Sequence, residues 1–351
     1  MTTPRLTDRR PELTPDSMVE AMKPPPRFDA VRFDNYIPNP DEPSQSEAVT
    51  ACREFAAGVD AQPSKAQPSK ARPAKGRSGW LRSLFGGGGG EQTGRPGLYL
   101  DGGFGVGKTH LLASLWHEVP GPKSYGTFVE LTNLVGALGF AETVRRLSEH
   151  RLLAIDEFEL DDPGDTMLIT QLLAKLTDAG VRVAATSNTL PDKLGEGRFA
   201  AADFLREIHA MSEKFTVVRV DGPDYRHRGM PDPPEPMADT ELVDLAEATD
   251  NATLDGFDEL CAFLSGLHPS KYGTLVDGVS AAHLRDLHAV PDQDVALRVV
   301  ALADRLYDRA IPVRVSGKAV SALFTEEMLR GGYRKKYLRA LSRLTALSRD
   351  S

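Results

Sequence analysis

The chain has 351 residues, 40% hydrophobic and 26% charged, with a formal charge of −8. This composition excludes a fibre, a wholly disordered chain and an overall positive surface for nucleic acid. Two distant cysteines, Cys52 and Cys261, and eight histidines without an HExxH pattern exclude a disulfide framework and a zinc site of the usual spacings.

The length allows about two domains. In chain order, the opening "MTTPRLTDRRPELTPDS" places charges and prolines where a signal peptide needs an apolar run. No later window reaches ~18 uninterrupted apolar residues, so a cytoplasmic protein is expected. Residues 1–60 are expected to form a segment packed on the domain that follows. Over 61–96 the tandem "AQPSKAQPSK", the run "ARPAKGRSG" and five consecutive glycines predict a flexible, basic, Pro/Gly-rich linker or insertion. It holds one apolar island, "GWLRSLF", among six positive charges. A solvated loop is the commoner fate of such a stretch, and weak peripheral contact with an anionic membrane is the alternative.

Over 97–230 strand-like and helix-like runs alternate. "LYL" leads into a helix from about Thr109, "GTFVEL" is a second strand, and helical patterns run through "NLVGALG" and "ETVRRLSEH". "RLLAI", "VRVAATSN" and "FTVVRV" are further strands, with the helix "DTMLITQLLAKLTDAG" after the first of them. Apolar strands separated by helices predict a three-layer α/β domain with a parallel sheet. Over 231–351 the pattern turns mainly helical. Phe257, Leu260, Cys261 and Leu264, and likewise Val299, Leu302, Ala303 and Leu306, fall on helical stripes that a second core must cover. "IPVRV" is a short strand and "YRKKYLRALSRLTALS" a closing basic helix, giving a smaller, mostly α-helical C-terminal domain.

The chemistry concentrates in "GGFGVGKT", which fits GxxxxGK[ST] and lies between a predicted strand and a predicted helix. Gly102, Gly103, Phe104, Gly105, Val106 and Gly107 would turn backbone N–H groups around a β-phosphate. Lys108 would reach the β- and γ-phosphates of ATP, Thr109 would offer its hydroxyl to Mg²⁺, and His110 closes the ATP-binding stretch. Next, "RLLAIDEFEL" ends a buried strand on two acids. Asp156 would hold the Mg²⁺ shell beside Thr109, and Glu157 would orient and polarise the attacking water. Asn188, at the end of the next strand, would bridge that water and the γ-phosphate. An inserted strand between loop and acids, the acidic pair and the polar sensor together indicate the AAA+ class of ATPases.

Further blocks carry a resemblance: "RFDNYIPNPDEPSQSEAV", "GWLRSLFGG", "GLYLDGGFGVGKTHLL", "LLAIDEFELDDPGDTMLITQLL", "VRVAATSNTLPDKL", "VDGPDYRHRG", "FDELC" and "YLRALSRLTAL". With these the chain resembles the ZapE-type AAA+ ATPases, bacterial cell-division relatives of a mitochondrial quality-control ATPase. The resemblance implies Mg²⁺-dependent ATP hydrolysis, a homo-oligomeric ring and action on protein partners, with FtsZ-linked division as the bacterial role. Two departures stand out. Val106 replaces the family's usual arginine, which should be tolerated where backbone does the work. Ala200 and Ala201 occupy the positions of a Gln-Arg pair, so an arginine finger acting on a neighbouring subunit falls to Arg198, then to Arg206, or is absent. Arg339 and Arg343 match the family's terminal motif, and one of them, Arg339 first, would contact nucleotide from the second domain; a solvated basic helix face is the competing reading. Two other readings stay open: a DnaA- or DnaC-like nucleic-acid loader, opposed by the acidic charge and the lack of a clear C-terminal helix-turn-helix, and a non-catalytic nucleotide-gated scaffold.

Overall fold

The computed structural model describes residues 3–60, 95–103, 105–159, 163–191, 194, 205–223, 233–290 and 292–349. The chain forms two compact units, Arg32–Gly222 and a second one made of Met1–Val31 with Pro223–Ser351.

The first unit is built on five parallel strands, β1 (Gly97–Asp101), β2 (Lys123–Thr127), β3 (Leu152–Asp156), β4 (Arg182–Ser187) and β5 (Phe215–Arg219), in the order β2-β3-β4-β1-β5. Every residue of β1 and β3 is buried. That is why these strands read as continuous apolar runs rather than as alternation: helices cover a parallel sheet on both sides. Helices Lys108–Glu118, Phe128–Leu138 and Pro163–Asp178 lie along the strands, and Pro43–Asp60 packs on Lys108–Glu118 and β5. In the core, Tyr99 meets Phe158 and Phe215 edge-on at 6.3 and 5.7 Å, and Phe158 meets Phe128 at 5.4 Å, geometries that add to the area buried.

The second strand differs from the expectation. It starts at Lys123 and stops at Thr127, and Phe128 already belongs to a helix. Thr127 is the reason. Its hydroxyl accepts the Glu130 amide at 3.2 Å while the Glu130 carboxylate accepts the Thr127 amide at 2.7 Å, a capping box whose N-cap is worth about 1 kcal/mol. Phe128, Leu131, Leu134 and Val135 then point inward with helical spacing.

The second unit also contains a parallel sheet, β6 (Thr253–Gly256), β7 (Ala282–Leu287) and β8 (Val313–Gly317), in the order β6-β7-β8. Helices Asp239–Ala248, Phe257–Gly266, Gln293–Asp308 and Arg334–Arg349 accompany it. The two expected stripes, from Phe257 and from Val299, meet in one core with Tyr272, Val313 and Tyr337. Of these three strands the sequence pattern marks only β8.

The expected packing of 1–60 requires correction. Residues up to Val31 belong to the second unit and only Arg32 onward to the first. The cause is Asp255, wholly buried in β6, whose carboxylate accepts the Leu6 amide at 2.9 Å and the Thr7 amide and hydroxyl at 3.0 Å each. Leu254 N donates to Pro4 O at 3.0 Å, and Arg9 caps the Leu275 and Asp277 carbonyls at 2.8 and 2.7 Å. Leu6 is thereby fixed in that core.

The linker and its "GWLRSLF" island lie outside the described residues. Cys52 and Cys261 are both buried, and burial pushes their thiols up to about 12 and about 11. Among the described residues no helix is long and apolar enough to cross a membrane, and no group of three His, Cys, Asp or Glu side chains is placed to hold a metal.

Candidate nucleotide site

The strand order creates a crevice. From β1 the chain runs to the far edge, returns through β3 and β4, and continues as β5 on the other side of β1. Ligands of open α/β sheets bind at the carboxyl ends where the order reverses in this way.

The phosphate loop leaves β1 at that point, and two of its glycines, Gly102 and Gly107, are sterically required. A Cβ on Gly102 would lie 2.1 Å from Val220 O. On Gly107, at φ +91°, it would lie 2.6 Å from the Tyr36 ring. Tyr36 also donates its hydroxyl to Val106 O at 3.0 Å. Val106 is buried, its side chain turned to Gly102 and Gly222, so this position offers backbone to the loop and an apolar plug beneath it. Phe104 lies outside the described residues. Helix Lys108–Glu118 starts directly after Gly107, which aims its first N–H groups toward the loop.

Lys108 is buried, and its ammonium donates to Gly102 O at 2.8 Å, Gly103 O at 2.5 Å and Asn188 Oδ1 at 2.9 Å. The last bond joins the loop to the tip of β4. Thr109 Oγ1 donates to Asp156 Oδ1 at 3.2 Å, joining the loop to the tip of β3. Tyr125 of β2 donates to the other oxygen, Oδ2, at 3.0 Å, and Thr186 of β4 donates to Oδ1. Burial, and next the Glu157 charge, push the Asp156 carboxyl above its usual range, against the pull of the hydroxyls of Thr186, Tyr125 and Thr109. Three hydroxyls partly offset the loss of water around this carboxylate, and a cation would offset more.

Glu157 follows in the left-handed region, φ +51°, uncommon for a residue with a Cβ. His110 places Nε2 at 3.1 Å from Arg32 O and its ring edge-on to Tyr36 at 5.3 Å. The structure thus brings together Gly102, Gly103, Gly105, Val106, Gly107, Lys108, Thr109, Asp156 and Asn188, with Glu157 next to Asp156 in the chain. Arg198 lies outside the described residues, and Arg206 is exposed on helix Leu205–Ser212. Arg339 and Arg343 belong to the second unit, where both donate to Asp304, Arg339 at 2.8 Å. Tyr36, Tyr125 and Thr186 carry no motif of their own, and only strand pairing and loop packing reveal them.

A glycine loop between a buried strand and a helix, an acid two strands away and an amide on the strand between define a P-loop nucleotide-binding domain of the AAA+ class. The chain belongs to the AFG1-like ATPase family, whose model matches residues 24–249 and 232–351. It is similar to the cell division protein ZapE of Escherichia coli K12, 36% identical over 144 residues, covering 38% of this chain and 38% of that protein. It is also similar to lactation elevated protein 1 homolog B of Danio rerio, 26% identical over 197 residues, covering 48% of this chain and 38% of that protein. The matches therefore span about two fifths of these relatives' length. Among solved structures, domain III of the Thermotoga maritima replication initiation protein DnaA matches at TM-score 0.40 and 20% identity, covering 57% of this chain and 70% of that one.

Proposed function

We propose that this chain hydrolyses ATP to ADP and phosphate at the crevice above β1, β4 and β3, and that turnover regulates or remodels a protein partner in cell division. The observation that carries the reading is the convergence of Lys108, Asn188, Thr109 and Asp156 through contacts of 2.9 and 3.2 Å. Lys108 supplies a fixed charge for the β- and γ-phosphates, and the loop amides complete the cradle. Water attacks the γ-phosphorus, the bond to the β–γ bridging oxygen breaks, and Glu157 takes the water's proton while Asn188 orients it.

Thr109 and Asp156 fit a small hard cation. They present two oxygen donors, and the buried carboxyl is held above its usual range. When bound there, Mg²⁺ would neutralise phosphate charge. Arg198 is the sequence-based choice for a finger acting across subunits of an oligomer. The similarity to a cell division protein supports the cellular reading, and FtsZ is the first partner to test. Phosphate release with and without Mg²⁺ tests the chemistry, and co-sedimentation of FtsZ polymers with ATP-bound Glu157→Gln protein tests the partner. Wild-type protein that releases no phosphate above background sinks the first, and Glu157→Gln protein absent from the polymer pellet sinks the second.

A further inference from the structure

We infer that Thr186 is a positioning residue for hydrolysis, acting through the Asp156–Glu157 pair rather than on nucleotide; the inference rests on the ATPase reading above. Thr186 is buried near the carboxyl end of β4, beside β3 in the sheet. Its hydroxyl donates its one proton to Asp156 Oδ1 and accepts the Glu157 amide at 3.1 Å. Its carbonyl accepts the Phe158 amide at 2.7 Å. One residue of β4 therefore holds three consecutive residues as they leave β3.

The hold bears on Glu157 in particular. Asp156 on one side is fixed by three hydroxyls, and Phe158 on the other is wholly buried. Between them Glu157 takes φ +51°, a conformation that a Cβ disfavours and that persists only where the surroundings over-determine it. Thr186 holds the peptide planes on both sides of that φ, the Glu157 amide through its hydroxyl and the Phe158 amide through its carbonyl. A β-branched side chain in a strand also keeps χ1 in few states, so the hydroxyl stays on target. Removing the hydroxyl takes this bond from the part-buried Glu157 N–H, loosens the peptide, and moves the carboxylate that must face the attacking water.

The test compares Thr186→Val, Thr186→Ser and Thr186→Ala with wild type, alone and in the Glu157→Gln background. Steady-state hydrolysis, binding of a fluorescent ADP and thermal melting are read for each. Outer residues that orient a functional group typically carry about 10- to 100-fold in activity. Accordingly kcat should fall by about 10- to 100-fold in the Val and Ala variants while KM and ADP affinity stay at the wild-type value, and the Ser variant should recover most of the rate. In the Glu157→Gln background the same substitutions should cost nothing further, because residues acting as a unit are not additive. Thr186→Ala is read beside Thr186→Val so that the outcome does not depend on one variant folding. Wild-type kcat in both variants, equal loss in the Ser variant, or a full multiplicative loss in the Glu157→Gln background overturns the positioning role. If in the same experiment Glu157→Gln hydrolyses at the wild-type rate, the catalytic reading itself falls and Thr186 falls with it.

Discussion

The two units are both parallel sheets with helices between strands, yet only one has a strand order that opens a site. In the first, the order reverses beside β1, and the ends of β1, β3 and β4 send Lys108, Asn188, Thr109 and Asp156 toward one point. In the second, β6, β7 and β8 follow one another without reversal, and the polar groups there close on each other. Arg285 grips Asp239 through two nitrogens, one at 2.9 Å, and Ser316 donates to the same carboxylate at 3.1 Å. Arg285, and then Ser316, hold that carboxyl below its usual range. Gly317 seals the end of β8, since a Cβ there would lie 2.7 Å from the Leu287 backbone. A parallel sheet with helices is thus not by itself a site: the crevice comes from the reversal.

The comparison breaks first at Glu157. Glu157→Gln should lower hydrolysis by ~10² to 10⁴-fold and leave nucleotide binding intact; phosphate release at the wild-type rate would move the general base elsewhere. Lys108→Ala should weaken ATP binding by roughly 10²- to 10³-fold, as losing one charge from a buried polar contact does. Titration with a fluorescent nucleotide checks this, and wild-type affinity would remove the loop from the site. On the other side of the comparison, Asp255→Ala should destabilise the second unit by roughly 2–3 kcal/mol, because three donors lose one buried charged acceptor. Thermal melting reads the loss, the rate per folded molecule should not change, and an unchanged melt would detach the N-terminal segment from that core.

The smallest effect treats the units alike. Each holds one histidine below its ordinary value by burial: His150, opposed by Glu149, in the first, and His283 in the second, where the Thr253 carbonyl opposes and Arg314 assists. In both, the unfolded state takes up its proton first as pH falls through about 6.5. The stability present above that pH is therefore lost progressively below it. His150→Gln and His283→Gln should each flatten the fall in melting temperature between neutral and mildly acidic buffer. Two variant curves as steep as wild type would show that neither histidine is responsible.

Much of the first unit was legible because the motif constrains its surroundings. A glycine loop with Lys108 and Thr109 must follow a strand and open a helix, and the acidic pair and Asn188 then fall on the next strands in line. Phe128 reads as strand in the sequence because apolar runs are ambiguous at short length, while the capping box at Thr127 decides for helix. The sheet of the second unit was largely hidden. "TLDG" is four residues with a buried carboxylate, and "AHLRDL" carries two charges. The first makes sense only once Leu6 and Thr7, some 250 positions away, are seen to satisfy Asp255, and the second once Arg285 is seen to meet Asp239. Tyr125 and Thr186 were illegible for a related reason. A lone tyrosine or threonine in a strand has no pattern, and each acquires meaning from the strand beside it.

The two cysteines, one per unit, give the chain a practical property. Alkylating reagents attack thiolates, and thiols raised to about 12 and about 11 inside the cores offer almost none at neutral pH. The wild-type sequence therefore serves as its own cysteine-silent background. Ile37, 89% exposed and next in the chain to Tyr36 at the phosphate loop, is the position at which a single Ile37→Cys substitution would accept a dye alone, so that nucleotide exchange could be followed in real time without first stripping any native residue.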